Sequence, residues 1–221
     1  MKQLALLPLA LVFATNAAIA ANSVDLRVTG TITPSACDIS LVGGSDFNLG
    51  AISANGLAAT TSTTLPAVGG KTLNIICSGA TQVAFKAIDN RASSRPSEIT
   101  SSTAFGLGMD GSNNPIGYYN IGLVQSTMLI NGASGKYKAS DDAGANWFTF
   151  SAPIISLLAT DRSPRIGTID LETANNAAQP TPITSASTEI QVTSFIQPEN
   201  VLDTSAEITL DGSATIELVY L

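Results

Sequence analysis

The C-terminal stretch Ala214-Thr-Ile-Glu-Leu-Val-Tyr-Leu221 decides the fold class. Ala214, Ile216, Leu218 and Tyr220 would fall on one face of an extended chain, and such period-two alternation is typical of a half-buried β-strand. An apolar strand at a chain end needs a neighbour, because an exposed strand edge invites pairing with another chain. Chain-to-chain strand pairing is therefore the first functional hypothesis.

The N-terminus predicts a secretory signal peptide over residues 1–20. Lys2 gives it a positive start, the run from Leu4 to Phe13 is apolar, and Ala18-Ile-Ala20 is a small-x-small cleavage signature. The apolar run is too short to span a bilayer. We therefore expect cleavage after Ala20, no membrane span, and export to the periplasm and cell surface.

Composition argues against several classes of function. The formal net charge is −7 and there is no histidine. An acidic chain without a basic cluster does not suit nucleic acid, whose phosphates demand Lys and Arg. Without histidine the Ser–His and Cys–His pairs of most hydrolases are excluded. Carboxylate chemistry stays open, but the spacing of the acids selects no catalytic pair. We expect no enzyme activity, no cofactor and no metal.

The chain has two cysteines, Cys37 and Cys77. An oxidising compartment favours their pairing, and the alternative is two free thiols. A zinc site would need four ligands. We therefore predict a Cys37–Cys77 disulfide.

The rest of the chain alternates short apolar runs with turn signals. Leu73–Cys77, Val83–Ala87 and Ile190–Phe195 are examples, and no segment after the signal peptide shows helical periodicity. Many short strands with frequent turns indicate an all-β sandwich or barrel, here one domain over residues 21–221. The dipeptide Asp211-Gly212 predicts a last hairpin or a bulged strand.

Taken in order, these features resemble a pilus subunit of the chaperone–usher pathway. A signal peptide precedes an alternating segment, a glycine stands seven residues before the first cysteine, and the penultimate residue is aromatic. The chain is similar above all to fimbrial-like periplasmic proteins encoded beside chaperones and ushers, which share its Phe-Gly-Leu-Gly segment and its Asp-Gly-Ser-Ala-Thr tail. The alternating residues are Val24, Leu26 and Val28, followed by Gly30.

The resemblance implies an immunoglobulin-like, pilin-type β-sandwich that lacks its last strand and has an enlarged middle region. It implies partners as well: a periplasmic chaperone, an outer-membrane usher and neighbouring pilus subunits. A chaperone strand would fill the groove first and the N-terminal segment of the next subunit would replace it. On this basis Ile216, Leu218 and Tyr220 lie at the groove edge, and residues 21–30 form the donor strand.

Two structural alternatives stay open. Val24, Leu26 and Val28 could instead form the first strand of the chain's own sheet. The tail could equally be the ordinary last strand of a closed sandwich that the long middle region completes.

A different function, a self-contained periplasmic or surface binding protein, is the second hypothesis. Tyr118, Tyr119 and Trp147 would form a sugar-stacking face for a host or surface glycan, with core packing as the competing interpretation. The stretch Ser140–Trp147 is similar to the Asp-box of sialidase-type propellers and predicts a structural hairpin. Calcium or sugar binding at Asp141 and Asp142 is the alternative, although calcium prefers six or more oxygen ligands.

Overall fold

The computed structural model describes residues 26–31, 36–171, 173–175 and 177–221. It divides the chain into two units, Met1–Thr33 and Pro34–Leu221. The predicted signal peptide and Val24 lie outside the described residues. In the first unit, residues 26–31 form no strand.

The second unit is built from antiparallel strands, which confirms the predicted all-β, sandwich-like fold. Its helical content in the described residues is three short 3₁₀ turns. The strands are β1 (Cys37–Val42), β2 (Thr63–Thr64), β3 (Val68–Thr81), β4 (Val83–Asp89), β5 (Phe105–Gly106), β6 (Gly117–Ile130), β7 (Ala133–Ser140), β8 (Phe148–Thr149), β9 (Ile154–Ser156), β10 (Ile166–Leu171), β11 (Ile183–Ile196) and β12 (Ala214–Tyr220).

The strands follow one another in the order β1-β3-β11-β6-β7-β10-β4-β12. The first four make one layer and the last four make the other, and the β6–β7 hairpin joins them. The hairpin turns at Asn131 and Gly132, whose φ angles are 49° and 81°. Positive φ at both central residues is the requirement of a type I′ turn, which Asn-Gly meets with little strain.

The core lies between the two layers and follows the alternation of the strands. On β11 the buried positions Ile190, Val192 and Ile196 alternate with partly exposed ones. Phe85 on β4 and Ile169 on β10 face them from the second layer. Burying each such side chain contributes about 1.5–3 kcal/mol, so the alternation holds the two layers together.

The predicted disulfide is confirmed. Cys37 and Cys77 are bonded to each other, and they occupy directly paired positions on β1 and β3. The bond therefore fixes the start of β1 to its neighbour.

The expected hairpin or bulged strand at Asp211-Gly212 is wrong, because no strand precedes β12 there. The Asp211 N–H donates to the carbonyl of Leu107 at 2.9 Å, and its carboxylate binds Arg91 at 2.6 Å. A Cβ on Gly212 would lie 2.8 Å from a ring carbon of Tyr119. Gly212 is thus needed for close approach to an aromatic ring and not for a turn.

Candidate strand-binding groove

An open groove separates the two ends of the strand order. Among the described residues, β1 pairs only with β3, and β12 pairs only with β4. A cavity of about 520 Å³ lies between them, with Ile39 and Leu41 of β1 on one wall and Ala214 and Ile216 of β12 on the other. Two strand edges therefore face the same space without pairing to each other.

The floor of this groove is almost entirely apolar. It is formed by residues of β3, β6 and β11 that belong to the core face of the first layer. These residues are Leu73, Tyr119, Ile121, Ile190, Val192 and Ser194. Burial raises the pKa of the Tyr119 phenol, with a smaller contribution from Asp89, so this hydroxyl stays neutral.

The β1 edge presents main-chain groups to the groove. The Cys37 N–H donates to Tyr220 Oη at 2.9 Å and so points away from β3. Because hydrogen-bonding directions alternate along a strand, the N–H and C=O groups of Ile39 and Leu41 point the same way. Their side chains line the cavity, so both backbone and side chains are available to an added strand.

The β12 edge is arranged in the same manner. The Leu221 N–H donates to Gln82 O at 3.2 Å, on the side of β4. By alternation the N–H and C=O groups of Ile216 and Leu218 point away from β4. Ile216 lines the cavity, and Leu218 packs against the core.

Tyr220 closes one end of the groove. Its ring is half exposed, but its hydroxyl accepts the hydrogen bond from Cys37 and links the two edges. The Cys37–Cys77 disulfide holds the same end of β1. The hydrogen bond therefore links the β1 and β12 edges at this end, and the disulfide fixes β1 to β3 there.

A second cavity of about 650 Å³ adjoins the first and shares Phe47 and Leu210 with it. Its apolar lining includes Leu57, Ile116, Ile196, Leu202 and Ile208. Lys71 Nζ lies 5.2 Å from the centre of the Phe47 ring and donates to Gly43 O. The apolar surface thus continues beyond the strand edges, beneath the segments that follow β1 and precede β12.

The predicted donor segment is only partly described. Residues 26–31 form no strand, and Leu26 and Val28 are each 89% exposed. No atom lies within 4 Å of a Cβ built on Gly30. Within the described residues the segment therefore shows two large, solvent-exposed apolar side chains.

The three aromatic residues of the predicted sugar-stacking face do not form one surface. Tyr119 is 6% exposed in the main core, and Trp147 is 4% exposed in a separate cluster with Ala84 and Ile166. Tyr118 stacks on Phe195 with ring centres 4.7 Å apart. Tyr119 and Trp147 are thus buried, and Tyr118 packs against a neighbouring ring.

The Asp-box-like stretch forms a hydrogen-bonded turn. Asp142 accepts hydrogen bonds from the Asn146 backbone N–H at 2.8 Å and from Ser140 Oγ at 2.7 Å, and these bonds lower its pKa to about 2. Gly144 takes a φ of 93°, and Trp147 Nε1 donates to its carbonyl at 2.9 Å. The neighbouring Asp141 pairs with Arg165, so both carboxylates have protein partners.

No three histidine, cysteine, aspartate or glutamate side chains converge as metal ligands in the part of the chain that the structure describes. Over the same ranges, none of the helical turns has the length and hydropathy of a membrane-spanning segment.

Sequence comparisons relate the chain to known proteins. A family model described as "Protein of unknown function (DUF1120)" matches residues 26–127. The "Uncharacterized protein YhcF" of Escherichia coli (strain K12) is 30% identical over 232 aligned residues, which cover 91% of this chain and 92% of YhcF. This chain belongs to the YhcF family. The range matched by the family model contains β1 and the exposed segment before it.

In this member of the YhcF family, the groove floor contains a residue that the sequence patterns did not single out. Ser194 lies on the core face of β11 between Val192 and Ile196. The sequence contains a signal for it, because the polar Ser194 stands between the aliphatic Val192 and Ile196 on an alternating face. The sequence alone does not show that this face of β11 borders an open groove, so it does not assign a role to Ser194.

Proposed function

We propose that this protein is a structural or adhesive subunit of a chaperone–usher type fimbria, completed by a strand that another polypeptide donates. The groove between β1 and β12 carries the proposal, because two strand edges that pair with no other described strand flank an apolar floor. An extended strand placed there would gain affinity from main-chain hydrogen bonds to both edges and specificity from the side-chain pockets.

The exposed N-terminal segment supports the proposal that this part of the chain acts as a donor strand. Leu26 and Val28 alternate with Arg27 and Thr29, and both apolar side chains are exposed. Burying an apolar side chain contributes about 1.5–3 kcal/mol, so three donated side chains would contribute about 5–9 kcal/mol. That sum is comparable with the whole stability of a typical domain, about 5–15 kcal/mol. Donation by a partner would therefore strongly influence whether the subunit stays folded.

The predicted signal peptide and the disulfide support a periplasmic location for this proposal. Disulfides persist in oxidising compartments such as the periplasm, and the Cys37–Cys77 bond stabilises the β1 edge of the groove. In this proposal a periplasmic chaperone supplies the first strand, an outer-membrane usher receives the complex, and a neighbouring subunit supplies the final strand.

Thermal unfolding of residues 21–221 in the presence of donor peptides tests the proposal. We expect the peptide of residues 21–31, or a host peptide of alternating Val and Thr, to raise Tm in a concentration-dependent way. In the native peptide Leu26→Asp abolishes the shift, because a charge would enter the apolar floor. Thr29→Asp, on the opposite face, is the matched control and keeps the shift. No shift with either parent peptide contradicts the proposal.

A glycan-binding role would use exposed aromatic rings. The burial of Tyr119 and Trp147 gives that role no support.

A further inference from the structure

One hydroxyl at the floor of the groove lacks a hydrogen-bond partner within the part of the chain that the structure describes. Ser194 is 0% exposed, and its Oγ is one of two buried side-chain polar atoms without a partner among the described residues. The other, Asn120 Oδ1, belongs to a β6 position between Tyr119 and Ile121, which face the core. Asn120 therefore points away from the groove, whereas Ser194 belongs to the groove lining.

The main-chain hydrogen bonds of Ser194 do not require a polar side chain at this position. Its carbonyl accepts a hydrogen bond from the Leu65 N–H at 2.8 Å, and Ser194 pairs with Tyr119 in the β11–β6 ladder. Its neighbours on the same face, Val192 and Ile196, are aliphatic. A valine would suit this position in a closed sandwich, because a buried unpaired hydroxyl is destabilising.

From this position we infer that the donated strand carries a hydrogen-bonding side chain opposite Ser194. The inference rests on the proposed function, since it names the chemistry of the strand that fills the groove. Ser194 lies between Val192, in the first cavity, and Ile196, in the second. It is therefore a specificity-determining residue at the junction of the two cavities.

The donor side chain that forms a hydrogen bond with Ser194 is small and polar, such as threonine. Threonine and valine have nearly the same shape and differ by a hydroxyl in place of a methyl group. A groove that hydrogen-bonds its occupant rejects the isostere that lacks the hydroxyl, because the buried partner is then left unsatisfied. The comparison of threonine with valine at one donor position therefore isolates the hydrogen bond.

A peptide series tests the inference on residues 21–221 of the protein. Peptides of residues 21–31 carry Thr or Val at one inward position at a time, namely 22, 24, 26 and 28, and Kd is measured for the wild type and for Ser194→Val. At one position we expect the Thr-to-Val affinity ratio to be about tenfold higher in the wild type than in the variant. Ser194→Ala gives the same comparison without added bulk, and Ser187→Ala, on the outer face of β11, leaves the ratio unchanged.

The outcomes separate the inference from the proposed function. If the peptides bind and the Thr-to-Val ratio is the same in the wild type and both Ser194 variants at all four positions, the inference is overturned while strand donation stands. If no peptide of the series binds, strand donation fails and the inference fails with it. If the ratio changes equally in Ser187→Ala, the effect does not belong to the groove and the inference is overturned.

Discussion

At the scale of single residues, the buried Ser194 hydroxyl lowers the stability of the free protein. Its buried hydroxyl has no partner within the described residues, and removing such a group also removes its desolvation penalty. We therefore expect Ser194→Ala to raise the free energy of unfolding of the free protein by about 1 kcal/mol, measured by urea unfolding. Ser187→Ala serves as the control on the outer face. A loss of stability in Ser194→Ala would show that the hydroxyl already has a partner.

Asp110 makes stability depend on pH. Burial alone would raise the pKa of this carboxyl, but the N–H groups of Asp203, Asn114 and Ser112 and the Asn114 side chain donate to it and hold its pKa at about 2. Because the folded pKa lies below the unfolded value of about 3.9, the stabilisation is complete above pH 4. It is lost as the pH falls towards 2.

The corresponding variant is Asp110→Asn, which keeps the shape of the side chain but does not ionise. The variant should be less stable than the wild type at pH 5, and the difference in free energy of unfolding should shrink between pH 4 and pH 2. Urea unfolding at several pH values measures it. A difference that stays constant over this range would contradict the role of the ionised carboxylate.

At the scale of elements, β7 and β10 share a buried ion pair. Lys138 Nζ and Asp170 Oδ2 are 2.8 Å apart, and both side chains are inaccessible to solvent. Lys138 also donates to Asn175 O at 2.9 Å, and Asp170 accepts from the Thr181 N–H at 3.1 Å. The pair thereby attaches the segment after β10 to the second layer.

Removing one member of this pair should be more damaging than neutralising both. Lys138→Met leaves the Asp170 carboxylate buried without its counter-ion and should cost about 3–5 kcal/mol. The double variant Lys138→Met/Asp170→Asn should recover part of that loss, because the amide keeps an acceptor for Thr181 and carries no charge. Chemical unfolding measures the free energy of unfolding of the two variants. Equal stability would show that the loss came from packing and not from the unpaired charge.

Sequence patterns located the elements well where one face of a strand meets the core. The alternation of Ile190–Phe195 and of the C-terminal stretch predicted β11 and β12, and the cysteine count predicted the disulfide. The buried Lys138–Asp170 pair was missed, because a charge in a strand normally indicates a solvent-facing position. The sequence alone also does not indicate which strands become the two ends of the order. That depends on contacts such as the one between Cys37 and Tyr220, 183 residues apart.

At the scale of the whole molecule, the disulfide attaches the edge strand β1 to β3. In the chain-entropy model a bond across a sequence separation of 40 residues contributes about 4 kcal/mol. The variant Cys37→Ala/Cys77→Ala should lose about that amount in urea unfolding. A saturating donor peptide should restore part of the loss by binding the folded state. Unchanged stability in the variant would mean that other contacts hold β1.

Residue-resolved amide hydrogen exchange of residues 21–221, with and without a bound donor peptide, tests strand donation most directly. The N–H groups of Ile39, Leu41, Ile216 and Leu218 face the groove, so they should exchange rapidly in the free protein and slowly in the complex. Those of Ser40 and Glu217 point by alternation towards β3 and β4 and should be protected in both states. Groove-facing amides that stay unprotected in a saturated complex would contradict the account.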